Sequence, residues 1–491
     1  MRIYHARETF FWHVDEDIIA LTVKRIVVDH HVQLLGFPIP GGIYLGPIFY
    51  YIVSFFYFLG NMNPFSLPFF AALLGVFSTF LVYKVGSLIF ENRRIGFFAG
   101  VIYGFSFLAN VYSKVFTGLS FGPIWALLTY LILYRNIKNK KPTNLVALGL
   151  ILVLASQNEG SSLSLVALSL ISWLIFRFKI PRRDLGIIIG AFLLSHLPIL
   201  IFDLRHNFFV ARSILGFFGK HAPPSFNSLN STLGPVELFT RTLSRFLYVP
   251  SPADIGTQIL PCFAQDRLGI SVWVLMAAVV VFAFFVLASL MKKNISIGQK
   301  IVFFHLLILM GGLLLFNLFM KGYLYEWVLV IFFPAFALMV AYFLDSLLKG
   351  GKLFRYLVIL ALALFTFFNL KSTLTSTGRF GLADKAAATK WAVAKISDKP
   401  FYLDSLGSCF QNGYVYLFWF YGKMPSSTYA DDVFTPTFYP KPNNIPKTGV
   451  IMVNPTDMES AEFWRKYEFY KAEAISRQQV GSIEVLIVED K

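Results

Sequence analysis

The sequence predicts an all-α polytopic membrane protein with a small α/β domain after its last membrane span. Hydrophobic residues make up 56% of the 491 residues and charged residues 14%, whereas soluble chains are about 45–50% apolar and about 25% charged. Long apolar runs fill the chain up to residue 371, where charges return together with short alternating runs. The first pattern is typical of membrane helices and the second of a small α/β domain.

About ten apolar runs are long enough to span, or nearly span, the hydrocarbon core of a bilayer. They lie at 66–90, 95–111, 119–134, 143–157, 161–178, 185–203, 269–291, 299–319, 324–346 and 353–370. A shorter run, GPIFYYIVSFFYFLG at 46–60, is bracketed by Gly and Pro. Its length suits a re-entrant or interfacial helix better than a full span.

Basic clusters predict the orientation of these spans. Lys and Arg gather in alternate loops, at 91–94, 135–141, 177–183, 291–294 and 347–352. The positive-inside rule makes all five loops cytoplasmic, provided that 46–60 does not cross. These loops also hold much of the net charge of +16, and no basic-aromatic motif accompanies them, so we do not expect nucleic acid as a partner.

The resulting topology divides the chain into three parts. Residues 1–65 form an extracytoplasmic loop with amphipathic and re-entrant helices, 66–371 form the transmembrane domain with an outer loop at 204–268, and 372–491 form an extracytoplasmic α/β domain. We therefore expect a multi-pass protein of the plasma membrane. Because Met1 falls outside in this topology, we expect a further transmembrane helix before it, and a chain that begins outside is the alternative.

The α/β domain is predicted from one helical stretch and four alternating runs. The helix is expected at 382–396 and the strands at 401–405, 414–422, 449–455 and 482–490. The domain contains no glycine-rich phosphate loop and no nucleophile elbow. Its expected role is to cap the site or guide the acceptor.

Three consecutive acids, Asp15, Glu16 and Asp17, open a segment with an apolar stripe from Ile19 to Val27. This pattern predicts an amphipathic helix at the membrane surface, with Lys24 on another side as a candidate substrate contact. Carboxylates in a first turn are favoured by N-capping and by the helix dipole. The alternative is that one of them points into a cavity and acts as a general base or metal ligand.

Further polar side chains fall at the ends of spans on the side predicted to be outside. In IFDLRHNFF (201–209), Arg205 and His206 follow a span; an Arg there either snorkels to headgroups or holds the phosphate of a lipid-linked substrate. Glu159 in SQNEGSS lies close to hydrocarbon, where an acid is costly unless it is used or solvated. Lys321 and Tyr325 in KGYLYEW belong either to an aromatic belt or to the substrate site.

A stretch rich in Gly and Pro, LLGFPIPGGIYLGPIFYY at 34–51, separates the acids from the first predicted span. It cannot form one regular helix. Irregular backbone near the membrane is tolerated where it lines a cavity or is buried in protein. The stretch is therefore either a pocket wall or a plain turn between two interfacial helices.

The order of WHVDED, IYLGPIFYY and FDLRHNF between alternating spans resembles the GT-C superfamily of membrane glycosyltransferases. The closest resemblance is to bacterial relatives of protein O-mannosyltransferases and of lipid A aminoarabinose transferases, and it covers roughly residues 1–370. These families transfer a sugar from a polyprenyl-phosphate carrier to a lipid, glycan or protein acceptor, usually with inversion. The resemblance thus implies a GT-C-like membrane fold and a polyprenyl-phosphate-linked sugar as donor.

The resemblance also implies roles for individual residues. Asp15, with Glu16 beside it, would deprotonate or orient the acceptor, and Arg205 and Lys321 would hold the departing phosphate. Many relatives carry a second acid in the next outer loop, but here that loop (110–122) has Lys114 and no acid. The missing acid leaves open whether the enzyme depends on a divalent metal ion. Glu159 and Asp17 are the acids that would take its place.

Two other functions compete with the glycosyltransferase. A transporter or flippase of lipid-linked glycans usually has broken helices in two related halves, and the sequence has no internal repeat. A glycan polymerase or ligase is compatible with the long loop at 204–268, but the acid cluster at 15–17 favours the transferase. The sequence leaves the sugar and the acceptor undetermined.

Overall fold

Helices form over each of the ten predicted apolar runs in the computed structural model of this chain. The structure describes residues 1–39, 43–139, 144–219, 233–250, 269–292, 294–320, 325–407, 413–428, 446–454 and 461–489. The first part of the chain holds α1 (Val14–Val27), β1 (Pro38–Ile39), β2 (Ile43–Tyr44) and α2 (Ile48–Leu59). The helices that follow are α3 (Leu67–Ile89), α4 (Arg93–Phe105), α5 (Phe107–Val111), α6 (Gly118–Asn139), α7 (Leu145–Asn158), α8 (Leu163–Phe176), α9 (Arg182–Arg205), α10 (Phe209–Gly219), α11 (Pro235–Leu247), α12 (Val272–Met291), α13 (Ile297–Met320), α14 (Phe333–Leu347) and α15 (Lys352–Thr375).

Six helical stretches within the described ranges are long and apolar enough to cross a membrane. They are Pro64–Ile89, Arg182–Arg205, Val272–Met291, Ile297–Leu318, Glu326–Gly350 and Lys352–Thr375. Helices α7 and α8 have 14 residues each and so reach about 21 Å, less than the ~30 Å of the hydrocarbon core. The remaining four of the ten spans stay predictions.

Burial separates a central helix from peripheral ones. The 3₁₀ turn Glu326–Phe332 and α14, which continues it, are buried over most of their length. Helices α9 and α15 instead expose most of their apolar side chains, as expected for a lipid-facing surface. Around the centre, α3 and α4 approach closely at Gly96, where a Cβ atom would lie 2.5 Å from the carbonyl oxygen of Tyr83.

The C-terminal part is a mixed five-stranded sheet with helices. Its elements are α16 (Leu382–Ile396), β3 (Phe401–Leu406), α17 (Val415–Phe420), β4 (Ser427–Thr428), β5 (Thr448–Val453), α18 (Ala461–Ala472), β6 (Ala474–Val480) and β7 (Ile483–Glu489). The strand order is β4-β3-β5-β7-β6, with β3 parallel to β4 and β5, and β7 antiparallel to β5 and β6. The helix at 382–396 and three of the four predicted strands are confirmed.

The fourth predicted strand, at 414–422, is wrong because this run forms α17. Aromatic and β-branched residues favour strands on their own. Here the carboxylate of Asp17 accepts the N–H groups of Val415 and Tyr416, at 3.2 and 3.0 Å, and so caps a helix. A contact across almost 400 residues overrides the local preference.

The prediction that α1 has one apolar face and an exposed polar face is also wrong, whereas its place at the membrane surface stays a prediction. Every residue from Glu16 to Val23 is buried, so protein covers this helix on all sides over two turns. Helix α2 packs on one side of α1 and α17 on another. The apolar stripe is therefore covered by protein, and the acids of the first turn face the C-terminal domain as well.

Helix α2 and the hairpin before it fit the prediction for 34–60. With 12 residues, α2 is about 18 Å long and too short to span the hydrocarbon core. Strands β1 and β2 pair antiparallel. Gly36 allows the two arms to approach, because a Cβ atom there would lie 2.1 Å from the carbonyl oxygen of Gly46.

Candidate active site

The three acids that open α1 occupy three different environments. Asp17, 5% exposed, caps α17 as described above. Glu16, 2% exposed, accepts the N–H of His13 at 3.0 Å and completes a capping box at the start of α1. Asp15 is half-buried. Capping contacts thus account for the burial of Glu16 and Asp17, whereas the side chain of Asp15 is only half-buried.

Glu16 lies in an environment that favours its protonated form. Burial raises the pKa of the Glu16 carboxyl, and the negative charge of Asp15 raises it further. The N–H of His13 and the ammonium of Lys385 act in the opposite direction. Such a carboxyl exchanges protons closer to neutral pH than an exposed one does.

Glu159 lies at the turn between α7 and α8, within the electrostatic range of Asp15. Its Oε1 accepts the N–H of Gly160 at 3.1 Å and caps the short 3₁₀ helix Gly160–Ser162. A Cβ atom at Gly118 would lie 3.5 Å from its Oε2, which places the carboxylate beside the start of α6. Burial raises the pKa of Glu159 to about 7, and the charge of Asp15 contributes to the rise.

Helix α2 connects the first turn of α1 to the turn that holds Glu159. Tyr50 on α2 is buried and lies in the electrostatic range of Asp15 and Tyr44. The N–H of Ile48, at the start of α2, donates to Oε1 of Gln157 at 3.3 Å. Gln157 in turn donates to the carbonyl oxygen of Ser195 on α9 at 3.1 Å. These contacts fix the distance between the two acidic positions, which are 144 residues apart in the chain.

Buried polar groups without protein partners gather at the same turn. Both amide atoms of Asn158 and the hydroxyls of Ser161 and Ser162 have no hydrogen-bond partner among the described residues. Asn158 is 3% exposed and Ser162 1%. A buried polar group left unpaired costs about 1–3 kcal/mol, so these groups favour a polar guest such as water or a hydroxyl of a substrate.

The loop that lacks the second acid carries a buried Lys instead. The ammonium of Lys114 donates to the hydroxyl of Thr9 at 2.6 Å. Burial, together with the nearby charge of Arg2, lowers the pKa of Lys114 to about 8. The carbonyl oxygen of Lys114 accepts the N–H of Phe11 at 2.9 Å, so this loop runs alongside the segment that leads into α1.

The segment with Arg205 and His206 follows α9. Asp203 accepts the N–H groups of Val210 and Ala211, at 2.7 and 3.0 Å, and caps α10. Arg205 and His206 are exposed, and the imidazole Nδ1 of His206 lies 2.8 Å from the carbonyl oxygen of Phe202.

This segment borders the hairpin that precedes α2. The rings of Phe209 and Tyr44 are 6.0 Å apart. The segment that carries the two basic side chains therefore lies beside the hairpin.

The other candidate residues lie apart from Asp15 or outside the described ranges. Lys24 forms a 2.7 Å ion pair with Asp29, and the nine residues that separate it from Asp15 correspond to about 13 Å along α1. Tyr325 is buried, with its ring 6.1 Å from that of Trp327. Lys321 falls outside the described residues. Their roles in substrate binding stay predictions.

Two buried cations near these elements were not singled out by the sequence. Arg245 on α11 donates from Nε to Oε2 of Glu326 at 2.7 Å, and Tyr112 donates to Oε1 of the same carboxylate at 3.3 Å. Lys385 on α16 is fully buried near Glu16. Their only sequence signal is a charged residue within an otherwise amphipathic helix, which does not reveal a partner 81 or 369 residues away.

The sequence and the architecture are both similar to those of known proteins. The profile of the dolichyl-phosphate-mannose-protein mannosyltransferase family matches residues 45–202, from the LGPIFYY stretch to near the end of α9. The structure of ArnT from Cupriavidus metallidurans, bound to undecaprenyl phosphate, matches with a TM-score of 0.51 and 13% identity over 99% of this chain and 96% of ArnT. The family profile covers about a third of the chain, and the likeness to ArnT shows a shared fold.

The predicted resemblance to GT-C enzymes and the predicted fold class are thereby confirmed. The chain also matches the oligosaccharyltransferase AglB from Archaeoglobus fulgidus, in complex with an inhibitory peptide and a dolichol phosphate, with a TM-score of 0.43 and 14% identity over 90% of this chain and 66% of AglB. No curated protein sequence matches significantly. The part of the chain that the family profile matches includes Glu159 but neither Asp15 nor Arg205.

Proposed function

We propose that this chain is a GT-C glycosyltransferase and that it transfers a sugar from a polyprenyl-phosphate carrier to an acceptor hydroxyl on the outer face of the membrane. The observation that carries the proposal is the approach of Asp15 and Glu159 at one end of the helices, with unpaired polar groups beside them. An acid pair at the edge of an apolar bundle suits a substrate with a lipid tail and a polar reacting group.

Asp15 acts as the general base. It accepts the proton of the acceptor hydroxyl while the hydroxyl oxygen attacks the anomeric carbon of the sugar. The bond between that carbon and the phosphate oxygen breaks, and the polyprenyl phosphate leaves with the bonding electrons. Glu16 supports the ionised state that Asp15 needs, since its raised pKa keeps a second negative charge away from the base.

Basic side chains stabilise the departing phosphate. Arg205 and His206 are exposed beside the hairpin, where they can reach a ligand that enters from the lipid, and Lys321 is proposed for the same role. A guanidinium matches two phosphate oxygens at once, which favours Arg205 for this contact. The undecaprenyl phosphate bound to ArnT supports a lipid phosphate as the ligand here.

The turn at 157–162 contributes contacts to sugar hydroxyls. Asn158, Ser161 and Ser162 offer an amide and two hydroxyls without protein partners among the described residues. Amides and hydroxyls both donate and accept, as a hydroxyl-rich substrate requires. We place the sugar between this turn and Asp15.

A metal ion is not assigned to any side chain. Among the described residues, His, Cys, Asp and Glu do not come together in any group of three or more that would hold a metal.

The test is a transfer assay with purified protein and a panel of polyprenyl-phosphate sugars. Loss of a general base costs roughly 10²- to 10⁴-fold in rate, so we expect Asp15→Asn to lose transfer by that factor while it still binds the lipid phosphate. Glu91→Gln is the matched control, since Glu91 is an exposed acid paired with Lys138 and far along the chain from Asp15.

Three outcomes decide between the functions. Full transfer by Asp15→Asn would remove Asp15 as the base. Binding and movement of the carrier without glycosyl transfer by the wild type would favour the transporter or flippase. Transfer of preassembled glycans in place of single sugars would favour the ligase or polymerase.

A further inference from the structure

A buried cation of the C-terminal domain lies against the acidic first turn of α1. Lys385 on α16 is fully buried, as are Glu16 and Asp17 at 2% and 5% exposure. The two carboxylates favour the charged form of Lys385, whereas burial lowers its pKa. Buried charges persist when they are paired or hydrogen-bonded, so this ammonium and the two acids depend on one another.

The ammonium of Lys385 is held in place on several sides. It lies 4.9 Å from the centre of the Tyr414 ring, a cation–π distance. A Cβ atom at Gly413 would lie 3.0 Å from Nζ and 3.0 Å from the carbonyl oxygen of His13. Lys385 is therefore enclosed between α17, its preceding loop and the residue that starts α1.

Backbone contacts bind the same two regions together. Trp12 donates from Nε1 to the carbonyl oxygen of Gly413 at 2.7 Å, and the N–H of Leu382 donates to the carbonyl oxygen of Phe10 at 3.1 Å. Asp17 caps α17. The segment before α1, its first turn and the start of α16 therefore form one packed unit, although α1 and α16 are more than 350 residues apart in the chain.

We propose that Lys385 is a positioning residue, which holds the first turn of α1 so that Asp15 faces the acceptor. Lys385 lies within the electrostatic range of Glu16 and Asp17, the two buried acids that follow Asp15, and does not itself touch the substrate. The C-terminal domain is then part of the active site and not a separable cap. The inference rests on the proposed function, since it takes Asp15 as the reacting carboxylate.

The experiment compares Lys385→Met with Lys390→Met in the full-length protein. Methionine retains much of the length of the side chain but has no charge. Lys390 lies on the same helix and is exposed, so its change controls for the loss of a Lys from α16. Two quantities are measured: hydrogen exchange of the α1 amides, and kcat and KM for transfer.

We expect Lys385→Met to speed amide exchange in the first turn of α1 by tenfold or more, and to lower kcat by tenfold or more with KM within about twofold. Lys390→Met should change none of these quantities. Unchanged exchange in α1, or an unchanged kcat, would overturn the proposal. If the wild type transfers no sugar, the proposed function fails, and the exchange data alone decide whether Lys385 positions α1.

A second variant covers the case in which Lys385→Met does not fold. Lys385→Met combined with Asp17→Asn removes one buried charge of each sign, and burial favours the protonated form of the remaining acid, Glu16. A folded double variant with slow transfer supports positioning. A folded double variant with wild-type kcat overturns it, since the charge pair would then serve stability only.

Discussion

The buried ion pair between Arg245 and Glu326 allows a stability prediction of stated size. Its two side chains are 1% and 4% exposed, and Nε of Arg245 lies 2.7 Å from Oε2 of Glu326. A second contact joins Nη2 to Oε1 at 3.4 Å. The pair connects α11 of the 204–268 loop to the start of the central buried helix, so its loss affects the packing of both.

Glu326→Gln retains the shape of the side chain and removes its charge. The guanidinium of Arg245 then stays buried without its counter-charge. With an effective dielectric of about 20, two charges about 4 Å apart attract by roughly 4 kcal/mol. This agrees with the 3–5 kcal/mol typical of buried pairs that lose one partner, so we expect the free energy of unfolding to fall by about 3–5 kcal/mol.

The assay is unfolding in a fixed detergent, with Glu91→Gln as the control. Glu91 also pairs with a cation, Lys138, at 2.6 Å, but both side chains are at least half exposed. Exposed pairs contribute about 0–1 kcal/mol, so the control should stay close to the wild type. Because membrane proteins often unfold irreversibly, the variants are compared at one heating rate.

A double-mutant cycle completes the test. Arg245→Met combined with Glu326→Gln removes both charges, and its cost should be less than the sum of the single costs by about 2 kcal/mol or more. A Glu326→Gln variant as stable as Glu91→Gln, or strictly additive costs in the cycle, would refute the interpretation of this contact as a coupled buried pair.

The next predictions concern the turn at Glu159. Burial raises the pKa of Glu159 from 4.5 to about 7, so the folded state holds its proton more tightly than the unfolded state, and the free energy of unfolding should fall by about 3 kcal/mol as the pH rises from 4.5 to 7. Glu159→Gln should abolish that part of the pH dependence, which is measured as the difference in the free energy of unfolding between pH 5 and pH 7.5. If this difference is the same in the variant and the wild type, the burial assigned to Glu159 is contradicted. At Gly118, a Cβ atom would lie 2.0 Å from the carbonyl oxygen of Asn158, so Gly118→Ala should displace the turn and reduce transfer at least tenfold. Gly186→Ala is the control for that change, because no atom lies within 4 Å of a Cβ there, and equal transfer by both variants would show that the turn is not needed.

Local sequence patterns predicted where the helices lie, but they did not predict that α1 is buried on all sides. Helix α16 lies at 382–396 as predicted, because the Ala-rich stretch has a strong intrinsic preference and a clear amphipathic pattern. Helix α1 was predicted as well, but its apolar stripe gave no indication that protein would cover the polar side too. Only the docking of the C-terminal domain explains why an acidic turn is buried.

For the same reason, the sequence predicted some residues of the candidate site but not their partners. Asp15 and Glu159 were both singled out as acids close to the membrane, and the structure places them within electrostatic range of each other through contacts of α2. The partners of Glu16, Asp17 and Glu326 could not be predicted, because each interaction depends on a fold that brings together distant parts of the chain. Nothing local in the sequence marks one buried Lys or Arg among 43 basic residues.

The three acids at residues 15–17 differ in their capping contacts. Asp17 caps α17 and Glu16 caps the start of α1, so removal of either exposes or unpairs buried groups and acts first on stability. Asp15 is half-buried, and its charge contributes to the raised pKa of Glu159. A substitution series across the three positions should therefore separate the two effects: Asp17→Asn should lower the unfolding temperature, and Asp15→Asn should lower transfer at an unchanged unfolding temperature. We therefore propose that Glu16 and Asp17 hold the first turn of α1 in position and that Asp15 carries out the chemistry.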